Sequence, residues 1–202
     1  MAITLDAAIT SIPSSLVIEK RFSFVNDKIL RENIVITMRH IMLLNTIAEN
    51  VALTGTFVYT VWKDMMLHTS MIVEGCIHYF LLELISRGTI NADDVMPKDW
   101  QDVNSIDLYN ISPDEKVCGV IKRQKTEKLS RNTQFIILNR ACLKGKAFDR
   151  KIFEIAERIR TKRNHIHLEG LSFVDTLYEK KDVDEIFKDT KTILTHIAKT
   201  LK

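Results

Sequence analysis

An all-helical bundle of about five helices, with a small β-hairpin inserted, is the fold this sequence predicts. Two observations carry the expectation. Apolar residues recur at helical spacing over most of the 202-residue chain, and six Gly and three Pro are too few for a loop-rich sandwich. With 46% hydrophobic and 27% charged residues, the chain has enough apolar side chains for a core and a polar surface around it.

Residues 1–25 read as an N-terminal extension, and 26–202 as a single helical domain. The opening MAITLDAAITSIP lacks a basic start and carries Asp6, unlike a secretory signal. The first helix is expected from about Asn26 to Val51, with Leu30, Ile34, Met38, Ile41 and Leu44 on one stripe. The second, from about Thr54 to Ser86, is apolar nearly all round, as a buried central helix is, and Gly88 follows as a stop. Residues 89–115 hold Pro97, Pro113 and several Asp and Asn without a sustained period, so a loop is expected there, with a short helix near Trp100. Residues 116–129 favour a short basic hairpin. A third helix should run over about Thr133–Lys144 and end at Gly145. A fourth should start near Asp149 and reach about His167, and a last amphipathic helix should cover about Asp182–Leu201.

Charge is unevenly distributed. From Lys116 to Arg163 there are 15 Lys or Arg against four acids, a net of +11, within a chain whose total is +3. Such asymmetry suits contact with a polyanion and equally suits a solvated basic face. Lys122, Arg123, Lys125 and Lys128 are the candidate phosphate contacts of this segment outside the fourth helix. The longest uncharged run, Asn50–Trp62, has 13 residues, whereas a membrane span needs about 20. Three scattered cysteines fit a reducing compartment rather than a disulfide framework. The expectation is a cytoplasmic chain with no membrane partner.

Most catalytic signatures are absent. The sequence has no GxSxG elbow, no phosphate-binding Walker loop, no GxGxxG and no HExxH. The end of the fourth helix stands apart: Arg158-Ile-Arg160-Thr-Lys-Arg163-Asn164-His165-Ile-His167. On a helical wheel with Arg160 at zero, Arg163 falls at about 300°, Asn164 at about 40° and His167 at about 340°. His165 falls at about 140°, away from that side. Two guanidiniums can clamp a phosphate, an amide can orient it, and an imidazole can move a proton near neutral pH. No metal or cofactor is required when the nucleophile is the ribose 2′-OH. A basic helix end also complements the macrodipole, which accounts for cations but not for their register.

The stretch IRTKRNHIHLEG resembles the signature of the HEPN domain (higher eukaryotes and prokaryotes nucleotide-binding), in which Arg and His are separated by four to six residues and Asn often follows an Arg. Arg160 to His167 has six intervening residues and Arg160 to His165 has four, while Arg163 to His167 has three. Both histidines therefore stand as candidates. Ser70-Met71-Ile72-Val73-Glu74 is similar to the Ser- and Glu-bearing helix of such domains, although a lone acid there equally suits an ion pair with a basic side chain. The resemblance implies a metal-independent endoribonuclease acting on RNA, built as a homodimer. It also implies a role in toxin–antitoxin pairs, phage defence or RNA processing, with an antitoxin or regulatory protein as partner. His167 would act as acid or base, Arg160 and Arg163 would bind phosphate, and Asn164 would orient. The alternative is a helical module that binds RNA, a nucleotide or a protein without catalysis.

Overall fold

The computed structural model describes residues 10, 12–51, 53, 56–164 and 178–202. Seven helices and two strands lie within them, in the order α1 (Ser15–Arg21), α2 (Lys28–Asn50), α3 (Thr56–Ser86), α4 (Ala92–Val95), β1 (Lys98–Ser112), β2 (Glu115–Thr126), α5 (Phe135–Lys144), α6 (Arg150–Asn164) and α7 (Lys180–Thr200). The fold is mostly helical, with one small antiparallel sheet.

Helix α3 is the axis of the bundle. Met65, Val73, Cys76, Ile77, Phe80 and Leu81 are buried around its circumference, as expected of a helix apolar on every side. Its buried hydroxyls are satisfied within the helix: Thr69 Oγ1 donates to the Met65 carbonyl at 2.6 Å and Ser70 Oγ to that of Met66 at 2.8 Å. By length and hydropathy α3 could cross a bilayer, but 61% of its most apolar window is buried inside the protein. Beyond it, Gly88 adopts φ +69°, a left-handed conformation that glycine takes at little steric cost.

Helices α2 and α7 pack along α3, α5 and α6 pair with each other and also touch α3, and α6 packs on α7. Helix α2 begins where the Asp27 carboxylate accepts the Leu30 N–H at 3.0 Å. Helix α6 is preceded by Asp149, whose carboxylate accepts the Ile152 N–H at 2.8 Å. Its buried face, Ile152, Ile155, Ala156 and Ile159, follows helical spacing.

The N-terminal segment is more than an appendage. Ile18, Phe22 and Val25 are buried in the same core as α3. Arg31 on α2 holds α1 through Glu19 at 3.2 Å.

The segment 89–115 differs from expectation. It contains a short helix, but at Ala92–Val95; Trp100 lies in a strand, and Lys98–Ser112 is not a loop. It pairs with β2 from Lys98↔Thr126 to Ser112↔Glu115, with register shifts near Val103, Leu108 and Ile111. The ribbon is exposed nearly throughout, including Trp100, Leu108, Tyr109 and Ile111. No face of β1 is buried, so no in-and-out alternation marks it in the sequence.

Candidate functional site

Helix α6 carries cations on two sides, and the two sides meet different surroundings. Toward α7, Arg158 forks onto Asp189, with Nε to Oδ2 at 3.1 Å and Nη2 to Oδ1 at 2.9 Å. Lys162 reaches Glu185 and Asp182 on the same helix. Its pairing holds the Glu185 carboxyl below the usual range. These cations are absorbed by the packing of α6 on α7.

Arg160, Arg163 and Asn164 lie on the other side and line one cleft of about 360 Å³. The opposite wall is the approach to α5, including Arg131, Asn132, Thr133 and Gln134, and the floor includes Glu74 from α3. The wheel expectation for these three residues therefore has a physical counterpart: they face one space. His165 and His167 lie outside the described residues, as does the expected continuation of the fourth helix beyond Asn164.

Arg160 and Arg163 are each oriented by a carboxylate. Arg160 donates to Glu157 Oε2 from Nε at 2.9 Å and approaches it with Nη2 at 2.8 Å. Glu157 is itself held by the buried Asn139, whose amide donates to Oε1 at 2.6 Å and to the Phe153 carbonyl at 3.3 Å. Arg160 is thus fixed by a chain of bonds reaching into the α5–α6 interface.

Arg163 Nη2 lies 3.2 Å from Glu74 Oε2. Its Nε is buried without a hydrogen-bond partner, a donor whose desolvation is uncompensated. Burial raises the Glu74 pKa, and Arg163 and His78 oppose the rise. His78 stands one turn along α3, its Nε2 2.9 Å from the Ser130 carbonyl. A carbonyl only accepts, so Nε2 carries the proton.

The far wall adds two positive features. Arg131 has no acidic partner among the described residues. Gln134, at the N-cap of α5, makes no side-chain capping bond, leaving the positive end of that helix at the cleft. Converging guanidiniums, an unused buried N–H and a helix N-terminus together suit an anion with several oxygens, such as a phosphodiester.

Lys122, Arg123 and Lys125 lie on β2 and Lys128 just beyond it, and the four do not act as one set. Lys125 and Lys128 line a second depression of about 790 Å³, which shares Asn132, Thr133 and Gln134 with the arginine cleft. Arg123 is on the same ribbon face as Lys125, two residues away. Lys122 points to the other face and sits 3.4 Å from Asp102. The acids of β1 therefore offset part of the positive charge counted along the sequence.

Of the stretch Ser70–Glu74, only Glu74 reaches the cleft; Ser70 is fully buried. The ion pair expected for a lone acid on α3 is present, and it lies in the cleft. Arg131, Asn139 and Glu157 were not singled out by sequence. The available signal for Arg131 was its place just before a helix start within the basic segment. Asn139 and Glu157 are 18 residues apart and become neighbours only when α5 packs on α6. No protein-family model matches this chain, and neither a curated protein nor a solved structure matches it.

Proposed function

We propose that this protein is an RNA-binding helical domain of HEPN-like type that cleaves RNA without a metal. The observation that carries the reading is the convergence of Arg131, Arg160, Arg163 and Asn164 on one cleft, immediately before His165 and His167 in the sequence. Arg160, fixed by Glu157, and Arg163, with its unused Nε, grip the scissile phosphate and offset the charge that grows on it. Asn164 orients the phosphate. A ribose 2′-OH attacks the adjacent phosphorus, losing its proton to a base while the bond to the 5′-oxygen breaks. The leaving oxygen takes a proton, giving a 2′,3′-cyclic phosphate and a free 5′-hydroxyl. His167 supplies the acid or base function, with His165 as the rival.

RNA leaves the cleft along the depression lined by Lys125 and Lys128, which shares one wall with it. Each neutralised phosphate releases counterions, so affinity should fall steeply with salt. The test is end-labelled RNA incubated with the protein in EDTA. Products ending in 2′,3′-cyclic phosphate support the reading, and intact RNA under all conditions removes the catalytic part of it.

A second reading, RNA retention without cleavage, is favoured by one observation. Arg160 and Arg163 already hold carboxylates, so a phosphate there must compete with Glu157 and Glu74. Filter retention of uncleaved RNA, abolished by Arg163→Ala, is the result that selects it.

A further inference from the structure

A second groove, larger than the arginine cleft, lies away from it. Helices α2 and α7 each pack on α3 rather than against each other, which leaves a groove of about 1200 Å³ between them. Ile72 of α3 lies at its floor, and its walls include Met38, Ile41 and Met42 of α2 with Phe187 and Leu194 of α7. Several of these are only partly buried, although they pack on the core. A mostly apolar groove of this volume is larger than an ordinary packing defect and roomy enough for a ligand.

Charge is unevenly spread along the groove: Lys191 lies midway along α7 with no acidic partner among the described residues, and the two ends differ. At the start of α7 the groove lining includes Asp184 and an exposed ion pair between Lys180 and Glu49 at 3.7 Å. The helices run antiparallel, so the end of α7 lies beside the start of α2, where α1 also sits: Arg87 donates to the Leu201 carbonyl, and the Tyr79 hydroxyl accepts from Asn26 N–H. Here the lining gathers Arg21, Lys199 and Lys202, none with an acidic partner among the described residues. Between the ends, Thr190 Oγ1 lines the groove, buried and without a hydrogen-bond partner.

We infer that this groove binds a free long-chain acyl carboxylate, its chain along α7 and its head among Arg21, Lys199 and Lys202. From Asp184 to Lys199 the helix rises roughly 22 Å at 1.5 Å per residue, more than an extended twelve-carbon acyl chain needs. Charge selects among the occupants. A second copy of this chain would bring its own unpaired cations against these. A neutral apolar molecule would leave the cations unused, and a cationic amphiphile would be repelled.

The experiment is calorimetric titration of the whole chain with laurate below its micellar concentration. Dodecyltrimethylammonium serves as the cationic control, and phosphatidylserine vesicles as the membrane control. One laurate should bind per chain, and the cationic amphiphile should bind about tenfold more weakly or worse. Arg21→Glu with Lys199→Glu, both at the surface, should weaken laurate about tenfold, and Ala198→Trp, which fills the groove, should abolish binding. An unchanged thermal midpoint in the charge variant excludes unfolding as the cause. The inference is overturned if the parent does not bind laurate, if both amphiphiles bind alike, or if Ala198→Trp folds and still binds. Sedimentation with vesicles in place of laurate binding would also overturn it, by assigning the cations to a membrane surface. RNA cleavage by the charge variant is read separately and should be unchanged.

Discussion

The two sides of α6 use the same residue types for different ends. Facing α7, Arg158 and Lys162 meet Asp189, Glu185 and Asp182, and every one of these contacts joins two helices. Facing the cleft, Arg160 and Arg163 also hold carboxylates, but they line an open space, keep an unpaired buried N–H and are joined by Arg131, which has no acidic partner. Net charge along the sequence treats both sides alike. The distinction is made by what α6 packs against: a neighbouring helix with acids at matching heights satisfies one side, and the gap between α5 and α6 leaves the other available.

Substitutions on the two sides of α6 should differ in their effects. The largest effect is expected at His167, where loss of an acid–base group to Ala should slow RNA cleavage by about 10²–10⁴. His165→Ala should cost less. If His165→Ala is inactive and His167→Ala cleaves normally, the histidine assignment reverses while the arginine cleft stands. Next is Arg160→Ala, with an expected loss of roughly 10²-fold in cleavage rate from reduced phosphate stabilisation. Arg158→Ala, on the other side of the same helix, should leave cleavage unchanged, and single-turnover rates with one RNA compare the pair directly.

Stability should follow the opposite pattern. Asp189→Ala removes the partner of a half-exposed Arg158, which water can then solvate, so the expected loss is about 1 kcal/mol, seen as a lower urea midpoint. Arg160→Ala has a less direct consequence, since it frees Glu157, which remains bound to Asn139.

The smallest expected effect concerns pH. Burial raises the Glu74 pKa above its ordinary 4.5, so the folded protein holds this proton more tightly than the unfolded chain. Its contribution to stability is present below about 4.5 and is lost as pH rises through the raised value. Glu74→Gln should remove that decline, visible as a flatter pH profile of the urea midpoint over that interval. Protonating Glu74 also frees Arg163, so RNA affinity should rise on mild acidification in the parent and not in Glu74→Gln.

Legibility in the sequence tracked burial. The long helices were readable because one face, or in α3 every face, is apolar at the helical period. The ribbon's first strand was not, because Lys98–Ser112 packs neither face on the core. Helix α1 is seven residues long and enters the core through Ile18, with Phe22 and Val25 following it, too few positions to establish a period. Within the cleft, Arg160, Arg163 and Asn164 were readable because one helix sets their register. Arg131 and the Asn139–Glu157 support depend on how α5 docks on α6, which no local pattern encodes. Glu74 was readable only as an isolated acid on an apolar helix; that Arg163 is its partner is a tertiary fact.

The most direct test of the cleft as an RNA site is a salt series of RNA binding in EDTA, with Arg158→Ala and Arg163→Ala measured beside the parent. Arg163→Ala should weaken binding and lower the slope of log affinity against log salt by about one, the change expected when one phosphate contact is lost. Arg158→Ala should leave both affinity and slope at the parent values. Equal losses in the two variants, or no loss in either, would contradict the division of α6 into a structural side and an RNA-binding side.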